Sequence, residues 1–345
     1  MRKINFKKIL VTGGNGFIGT NLINELLKYK KNKIINIDKF SYCSNSFLLK
    51  NKSKNFKNIK VDLLNFNLIK KIIFTLKPDL VFHLAADTHV DVSLTKPLSH
   101  YDNNTKATLH LLSILQLALQ QKILKKNFKF IYVGTDEIYG DVSFRSKKAF
   151  DEHQPLDPNN PYAASKAAAV LMVKTWFKNF NFPCIVTNSV NNYGTYQFIE
   201  KFIPRSIMLA NQQKYIEVYG KGKNIRTWIS VKDHVRALIF LAKQGRIGQT
   251  YNISSGYKLQ NIEIAKKIIT ILKNKKIKAN IKLVEDRLGH DRQYSISVNK
   301  LRALGWRPIY NFDKELEKMI DWYGDANNLK IFKNINKHLL RKGIN

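Results

Sequence analysis

The sequence contains few cysteines and no long apolar run. Its two cysteines, Cys43 and Cys184, are too few for a zinc cluster or a disulfide framework, which suits a reducing compartment. No apolar stretch approaches the roughly 20 residues that span a bilayer, and the chain passes from Met1 into its first strand without the apolar region of a signal peptide. We therefore expect a cytoplasmic protein with no membrane partner and no metal site.

Acidic residues are also scarce, with 25 aspartates and glutamates against 59 lysines and arginines and a formal net charge of +34. A dense basic surface attracts polyanions such as nucleic acids without sequence preference. The lysines, however, are spread along the chain among isoleucines and asparagines, and they cluster tightly only near residues 50–60, 122–129 and 273–278. This distribution is typical of solvated surfaces, so we expect no specific nucleic-acid partner.

The order of apolar patterns predicts the fold class. Up to about residue 190, short strand-like runs such as 80–84 and 129–133 alternate with longer helical patterns such as 104–121. This alternation predicts an α/β fold with a doubly wound parallel (Rossmann) sheet that binds its ligands at the carboxyl ends of the strands. Later turn signals separate shorter elements. The expected parts are a Rossmann domain over 1–190 rejoined by part of 229–255, a smaller C-terminal α/β substrate lobe over 191–330, and a basic tail over 331–345.

A glycine-rich turn, Gly13 to Gly19, lies between a predicted strand and a predicted amphipathic helix. Glycines at positions 14, 16 and 19 fit the Rossmann spacing, whereas 13, 16 and 19 fit the wider spacing of short-chain dehydrogenases; both let backbone N–H groups approach a pyrophosphate. The next apolar run ends in Asp38, ~20 residues past the turn. A carboxylate there accepts a hydrogen bond from a ribose 2′-hydroxyl and repels a 2′-phosphate. The pattern therefore predicts a site for NAD rather than NADP.

Tyr162 and Lys166 are four residues apart and lie on one face of a predicted helix. A nearby ammonium stabilises phenolate, so this tyrosine can accept a hydroxyl proton while hydride leaves the same carbon. An isolated pair of this kind is more often a feature of a helix surface. Its position after a dinucleotide signature favours a catalytic role.

Adjacent acids follow the strand that ends at Val133, in the order Thr135, Asp136 and Glu137. Two neighbouring carboxyl groups have different pKa values, because ionisation of the first disfavours ionisation of the second. One can therefore serve as an acid while the other serves as a base, as the elimination of water requires.

Together these residues resemble the nucleotide-sugar dehydratases of the extended short-chain dehydrogenase/reductase superfamily. The resemblance covers nearly the whole chain, and the acid pair is its most specific motif. The further matching segments are His83–Asp91, Asn191–Gly194, Glu200–Pro204, Tyr219–Gly222 with Arg226, and Asp286–Arg292.

The resemblance implies a complete reaction and a cofactor. It implies a lyase with tightly bound NAD that oxidises C4 of the hexose of dTDP-glucose, eliminates water across C5 and C6, and returns the hydride to C6. Tyr162 would take the C4 hydroxyl proton, Glu137 the C5 proton, and Asp136 would protonate the departing C6 hydroxyl. Lys166 would hold the nicotinamide ribose, and Thr135 would hydrogen-bond the C4 oxygen.

The resemblance also implies binding residues and an assembly. The cofactor set comprises Gly13, Gly16, Phe17, Ile18, Gly19, Asp38, Lys39, Phe40, Ser41, Asp62, Leu63, Leu84, Ala85, Ala86, Asp87, Thr88, Asn103, Tyr162, Lys166 and Asn192. The substrate set comprises Thr88, Thr135, Asn191, Lys201, Phe202, Glu217, Val218, Tyr219, Arg226, Asn261, Asp286, Arg287, Leu288, Gly289 and His290. The helices predicted near 104–121 and 163–177 resemble the pair that forms the family's dimer bundle, so we expect a homodimer.

Two other functions stay open at this point. An NAD-dependent nucleotide-sugar epimerase or decarboxylase would share the pocket but would have no evident use for two adjacent acids. A catalytically declined nucleotide or nucleic-acid binding protein would use the positive charge, and its binding of polyanions would collapse with added salt.

Overall fold

Runs of apolar and β-branched residues form the strands, several of which are buried on both faces, as is typical of parallel sheets. The computed structural model describes residues 6–51, 53–142, 149–286 and 292–332. The strands of these residues are β1 Lys8–Thr12, β2 Lys33–Asp38, β3 Phe56–Lys60, β4 Leu80–His83, β5 Lys129–Thr135, β6 Cys184–Ser189, β7 Asn191–Tyr193, β8 Ile216–Tyr219, β9 Ile225–Ser230, β10 Thr250–Ile253, β11 Tyr257–Gln260 and β12 Ile281–Val284.

The helices alternate with these strands through the first half of the chain. They are α1 Phe17–Leu27, α2 Phe66–Leu76, α3 Val90–Thr95, α4 Pro97–His100, α5 Ala107–Gln120, α6 Pro161–Phe180, α7 Phe202–Asn211, α8 Val231–Gln244, α9 Asn261–Asn274, α10 Asn299–Ala303, α11 Phe312–Gly324 and α12 Ala326–Leu329. Two 3₁₀ turns, Phe47–Lys50 and Asp136–Tyr139, and a π-helical segment, Tyr101–Lys106, complete the set.

The central sheet has seven parallel strands in the order β10-β6-β5-β4-β1-β2-β3. The chain builds from β1 outward to β3 and then crosses to the other side of β1 to form β4. The carboxyl ends of β1 and β4 therefore diverge at a switch point, where doubly wound sheets bind their ligands. The predicted fold class is confirmed, and β10 brings part of the second half of the chain to one edge of the sheet.

Helix α6 is longer than the predicted 163–177 because its first turn is capped. The Asn160 side chain accepts a hydrogen bond from the backbone N–H of Ala163 at 2.9 Å, and Pro161 occupies the first helical position. The helix ends where Asn181 adopts a left-handed conformation with φ of 50°. The helical pattern predicted over 104–121 is divided between the π-helical segment and α5.

The apolar side chains form two clusters. The first surrounds the central sheet and its helices, and the second lies among α7, α9, α11 and β8. Val190 belongs to the first cluster and Tyr193 to the second, while parts of 229–253 and 296–306 return to the first. The proposed domain boundaries stay a prediction. Of the expected basic tail, Ile331 and Phe332 are buried in the second cluster, and 333–345 lie outside the described residues.

Within the described ranges, no helix is both long enough and apolar enough to cross a membrane. Cys43 and Cys184 are both free thiols. The same ranges contain no group of three or more histidine, cysteine, aspartate or glutamate side chains placed to hold a metal ion.

Candidate active site

The glycine-rich turn joins β1 to α1 and is shaped by close approaches of the backbone. Gly13 has φ of +74°, and a Cβ atom there would lie 2.6 Å from the Cα and N atoms of Ala85. A Cβ at Gly19 would collide with the Gly13 carbonyl oxygen, so this glycine lets α1 pack on the turn. Gly16 precedes α1 and offers no capping side chain, which leaves the amides of the first helical turn available to an anion.

A cleft with about 1210 Å³ of empty space, part of it open to solvent, runs from this turn along the carboxyl edge of the sheet. Most of the predicted cofactor residues line it: Gly13, Gly16, Phe17, Ile18, Gly19, Asp38, Lys39, Ser41, Asp62, Leu63, Leu84, Ala85, Ala86, Thr88, Asn103, Tyr162 and Lys166. The wall thus brings together residues from distant parts of the sequence. Its glycine turn, apolar sides and single ribose-facing acid fit a dinucleotide such as NAD.

The wall also contains residues that the sequence analysis missed. They are Ile37, Cys43, Ser44, Val61, Ala107, Val133, Gly134, Gln197, Phe198 and Glu200. Ile37, Val61 and Val133 lie at or beside strand ends next to predicted residues, so strand position could have indicated them. Gln197, Phe198 and Glu200 come from the loop before α7, for which the sequence carries no cofactor signal.

Asp38 ends β2 and is held by three donors. Its Oδ2 atom accepts from the Asn15 amide at 2.9 Å, and its Oδ1 atom accepts from the Phe40 amide at 2.7 Å and the Ser44 hydroxyl at 3.2 Å. Burial raises the pKa of Asp38, while the backbone hydrogen bonds oppose that rise. The carboxyl group is therefore fixed at the wall of the cleft where a ribose would lie.

Three predicted cofactor residues, Phe40, Asp87 and Asn192, are outside this wall as far as the described residues define it. Phe40 donates its amide to Asp38. Asp87 orients two residues that do line the cleft, because its carboxylate accepts from Lys39 at 3.1 Å and from Asn103 at 2.8 Å.

The Asn192 side chain is engaged behind the cleft. It donates to the Ser189 hydroxyl at 3.1 Å and to the Val190 carbonyl at 2.9 Å, and its oxygen lies 2.8 Å from the His234 Nδ1 atom. These partners hold the end of β6 against α8.

The acid pair begins the 3₁₀ turn Asp136–Tyr139, hereafter the acidic turn, directly after β5. Asp136 is 2% exposed, and its Oδ2 atom makes no hydrogen bond within the described part of the chain. Burial raises the pKa of Asp136 well above its usual range, the Glu137 carboxylate adds to the rise, and the Arg226 guanidinium opposes it. Burial thus favours the protonated form of Asp136, which suits a proton donor, whereas the neighbouring Glu137 is half-buried.

Tyr162 and Lys166 reach the same region from the first turns of α6. Burial raises the pKa of Tyr162, the Glu137 carboxylate adds to this, and a hydrogen bond with Thr135 opposes it. Lys166 donates to the Val133 carbonyl at 2.8 Å, and burial lowers its pKa to about 7. The pKa of Tyr162 is thus raised rather than lowered, because burial and the nearby carboxyls dominate.

The predicted substrate residues divide into three groups. Thr88 and Lys201 line the cleft, where the Lys201 ammonium donates to the Thr88 carbonyl at 2.6 Å. Arg226 is 5% exposed, and its charge acts on Asp136. The remaining described members, which are not part of the cleft wall as described, are Thr135, Asn191, Phe202, Glu217, Val218, Tyr219, Asn261 and Asp286.

Some of these members have other partners. Glu217 pairs with Arg205 at 2.8 Å, and Val218 is fully buried in the second cluster, so only its backbone could meet a ligand. Arg287, Leu288, Gly289 and His290 lie outside the described residues.

Known proteins share this arrangement. The family model for GDP-mannose 4,6 dehydratase matches residues 10–319, so the chain belongs to that family. A dTDP-glucose 4,6-dehydratase from Haemophilus influenzae is 38% identical over 329 residues, which cover 91% of this chain and 97% of the relative. The resemblance to nucleotide-sugar dehydratases is thereby confirmed, and among them it is to the enzymes named for dTDP-glucose.

Solved structures agree with this result. The dTDP-glucose 4,6-dehydratase of Bacillus anthracis, crystallised in complex with NAD, superposes with a TM-score of 0.83 at 33% identity, covering 95% of this chain and 99% of that one. The enzyme of the same name from Streptomyces venezuelae, crystallised with NAD and TYD bound, gives a TM-score of 0.86 at 29% identity and covers 93% and 98% of the two chains.

Proposed function

We propose that the protein is an NAD-dependent hydro-lyase that converts dTDP-glucose to dTDP-4-keto-6-deoxyglucose. The observation that carries this proposal is the burial of Asp136 beside Glu137, which raises the pKa of Asp136 well above its usual range, with Tyr162 of the cleft wall close enough for both carboxyls to affect its pKa. Elimination of water needs one group that gives a proton and one that takes a proton. The curated relatives are named dTDP-glucose 4,6-dehydratase and match this chain over most of their length, which supports the same reaction.

NAD, when bound, would supply the hydride acceptor for oxidation at C4 and the hydride donor for reduction at C6. The glycine-rich turn and the first turn of α1 would hold its pyrophosphate, Asp38 its adenine-side ribose, and Lys166 its nicotinamide ribose. A cofactor regenerated in each turnover has no need to exchange, and activity without added NADH is expected.

The chain's own residues would divide the proton transfers. Tyr162 would take the C4 hydroxyl proton, with Thr135 hydrogen-bonded to the C4 oxygen. Because burial raises the pKa of Tyr162, the phenolate that takes this proton needs positive charge nearby, which Lys166 of the same wall would supply in its ammonium form. Glu137 would then remove the C5 proton, which the C4 ketone acidifies. Asp136, whose protonated form burial favours, would give its proton to the C6 hydroxyl, so that water leaves. A proton would return to C5 when the hydride reaches C6.

The substrate's diphosphate would meet cations at the edge of the cleft. Lys201 lines the cleft, and Arg226 approaches the acidic turn from β9. A guanidinium offers several donors in a fixed planar fork, which suits phosphate oxygens. We place the sugar between these cations and Tyr162, and the base toward the lobe built around α7, α9 and α11.

A product assay tests the proposal. Purified protein is incubated separately with dTDP-glucose, UDP-glucose and GDP-mannose without added NADH, and products are identified by mass and NMR. We expect dTDP-glucose to give a product lighter by one water, and Glu137→Gln to lose this product while keeping its fold. An epimerase would instead give a product of unchanged mass. No product from any of the three substrates, despite bound NAD, would refute the proposal.

We also propose a homodimer formed through α4, the π-helical segment and α6. These elements contact one another and carry large apolar side chains that are exposed in the single chain: Leu98 is 77% exposed, Tyr101 53% and Leu171 50%. Exposed apolar patches of this kind mark association surfaces. Light scattering should give twice the chain mass. Leu98→Glu should give monomers, whereas Leu283→Glu, at a 54% exposed site on β12, should not.

We further propose that the protein works in the cytoplasm, where its free thiols Cys43 and Cys184 stay reduced. Nucleic-acid binding is disfavoured as the main function because the charge is dispersed. Filter binding at low and high salt separates these possibilities, since adhesion by charge alone disappears with added salt and is unaffected by Glu137→Gln.

A further inference from the structure

Asp141 follows the acidic turn closely and is fixed to it by the backbone. Gly140, between the turn and Asp141, has φ of +82°, and any side chain there would collide with the Asp157 carbonyl oxygen. The Asp157 amide also donates to the Ile138 carbonyl at 3.0 Å. The short path from Asp136 to Asp141 is therefore held in one conformation.

The Asp141 carboxylate holds a second part of the chain. Its Oδ1 atom accepts from the backbone amides of Arg292 and Gln293, both at 2.9 Å, and its Oδ2 atom accepts from the Arg292 Nε atom at 3.0 Å. The Val142 amide adds a hydrogen bond to the Gln293 carbonyl at 3.0 Å. The Asp141 side chain is 16% exposed, whereas that of Arg292 is 62% exposed, so the bond to the Gln293 amide is the most shielded of the three.

The segment held in this way, residues 292–294, supports Arg226. The Arg292 carbonyl accepts from the Ile225 amide at 2.9 Å and from the Arg226 guanidinium at 3.4 Å. The guanidinium also lies 4.6 Å from the centre of the Tyr294 ring. Arg226 thus depends for its position on a segment that Asp141 anchors.

We propose that Asp141 is a positioning residue that anchors residues 292–294 beside the acidic turn and thereby holds the Arg226 guanidinium in place. The proposal rests on the dehydratase function proposed above, in which Asp136 is the acid. The contacts run in series: the backbone joins Asp136 to Asp141 through Gly140, Asp141 binds the amides of Arg292 and Gln293, and the Arg292 carbonyl accepts from the guanidinium of Arg226 on β9. The charge of Arg226 in turn acts on Asp136. A carboxylate at 141 is required because it accepts from two amides and a guanidinium together.

The arrangement has a consequence for pH dependence. The ionisable groups that act on Asp136 or respond to it are Glu137, Tyr139, Tyr162 and Arg226. Of these, Arg226 stabilises the carboxylate form. If Arg226 loses its support, the pKa of Asp136 rises further, so the acid stays protonated to higher pH. The alkaline limb of the pH–rate profile should then move to higher pH. The rate itself should fall, because Arg226 and the acidic turn no longer hold their relative positions.

Two variants and a control test the proposal in the intact protein. Asp141→Asn keeps an acceptor for the backbone amides but loses the charge, and Asp141→Ala loses both. We expect kcat/KM for dTDP-glucose to fall roughly tenfold in the first and roughly 100-fold in the second, with the alkaline limb displaced to higher pH and the melting temperature and NAD content little changed. Asp313→Asn is the control. It removes a surface ion pair between Asp313 of α11 and Lys267 of α9, and it should leave the rate and its pH profile unchanged.

A second measurement needs no turnover. The infrared carbonyl stretch of protonated Asp136, identified by its loss in Asp136→Asn, should persist to higher pH in Asp141→Asn than in the unaltered protein. Identical titration of this band in both proteins would overturn the proposal, as would a loss of rate that only follows a loss of folded protein. If the unaltered protein makes no product, the proposed function fails, and the infrared comparison still decides the role of Asp141.

Discussion

Three glycine-to-alanine substitutions should separate the folding role of the glycine-rich turn from its cofactor role. At Gly13, alanine must adopt φ of +74° and place its methyl group 2.6 Å from the Ala85 backbone. The left-handed conformation costs about 1 to 2 kcal/mol. Relief of the collision costs about 1 to 3 kcal/mol more. We therefore expect Gly13→Ala to lower the free energy of unfolding by about 2 to 5 kcal/mol and to weaken NAD binding, since Ala85 is part of the cleft wall.

Gly16 and Gly305 provide matched comparisons. Gly16 has an ordinary φ of −75°, and a Cβ there would touch only the Gly13 carbonyl oxygen, at 3.3 Å, among the described atoms. Gly16→Ala should change stability by less than about 1 kcal/mol. Its methyl group would enter the cleft, however, and a loss of about 1 to 3 kcal/mol would weaken NAD binding roughly 5- to 150-fold. Gly305 has φ of +96° and no described atom within 4 Å of an added Cβ, so Gly305→Ala should cost about 1 to 2 kcal/mol in stability and leave NAD binding unchanged.

Urea denaturation and NAD titration of cofactor-stripped protein measure the two quantities independently. The reasoning fails for the cofactor if Gly16→Ala binds NAD as tightly as the unaltered protein. It fails for the fold if Gly13→Ala and Gly305→Ala lose the same stability, because the collision with Ala85 would then contribute nothing.

Two further predictions concern the buried ionisable groups. Asp136→Asn and Glu137→Gln should each lower the yield of dehydrated product by about 100- to 10,000-fold. Asp136→Asn should not lower the urea midpoint at pH 7, because burial favours the neutral form of Asp136, and a large loss of stability would contradict its assignment as the acid. Burial lowers the pKa of His83 and of His234 to about 3, so both stay neutral in the folded protein while the unfolded chain binds protons below its ordinary value of 6.5. The free energy of unfolding should therefore decline as pH falls from 7 to 5, by about 2 kcal/mol for each histidine. His83→Gln should remove about half of this decline, as measured by denaturation curves at the two pH values. An unchanged decline in this variant would refute the burial argument.

The sequence was most informative where a local pattern reports a local structure. The apolar runs, the glycine-rich turn and Asp38 follow one another in the order that a dinucleotide-binding unit requires, and the structure has this order in β1, α1 and β2. The acid pair was predictable in the same way, because it directly follows a strand whose carboxyl end faces the ligand edge.

The sequence was least informative about which distant residues meet and in what state of charge. Three features depend on contacts between residues far apart along the chain. They are the effect of the Arg226 charge on Asp136, the burial that raises the pKa of Tyr162, and the contribution of the loop before α7 to the cleft.

Local patterns in the sequence thus determined the order of elements, the dinucleotide turn and the chemical kinds of side chain available at the sheet edge. Tertiary structure decided which carboxyl is buried, and hence which carboxyl has its pKa raised, and which distant residues lie beside the acidic turn. The physical reason is that backbone conformation depends mainly on neighbours along the chain, whereas desolvation and charge–charge interactions depend on neighbours in space.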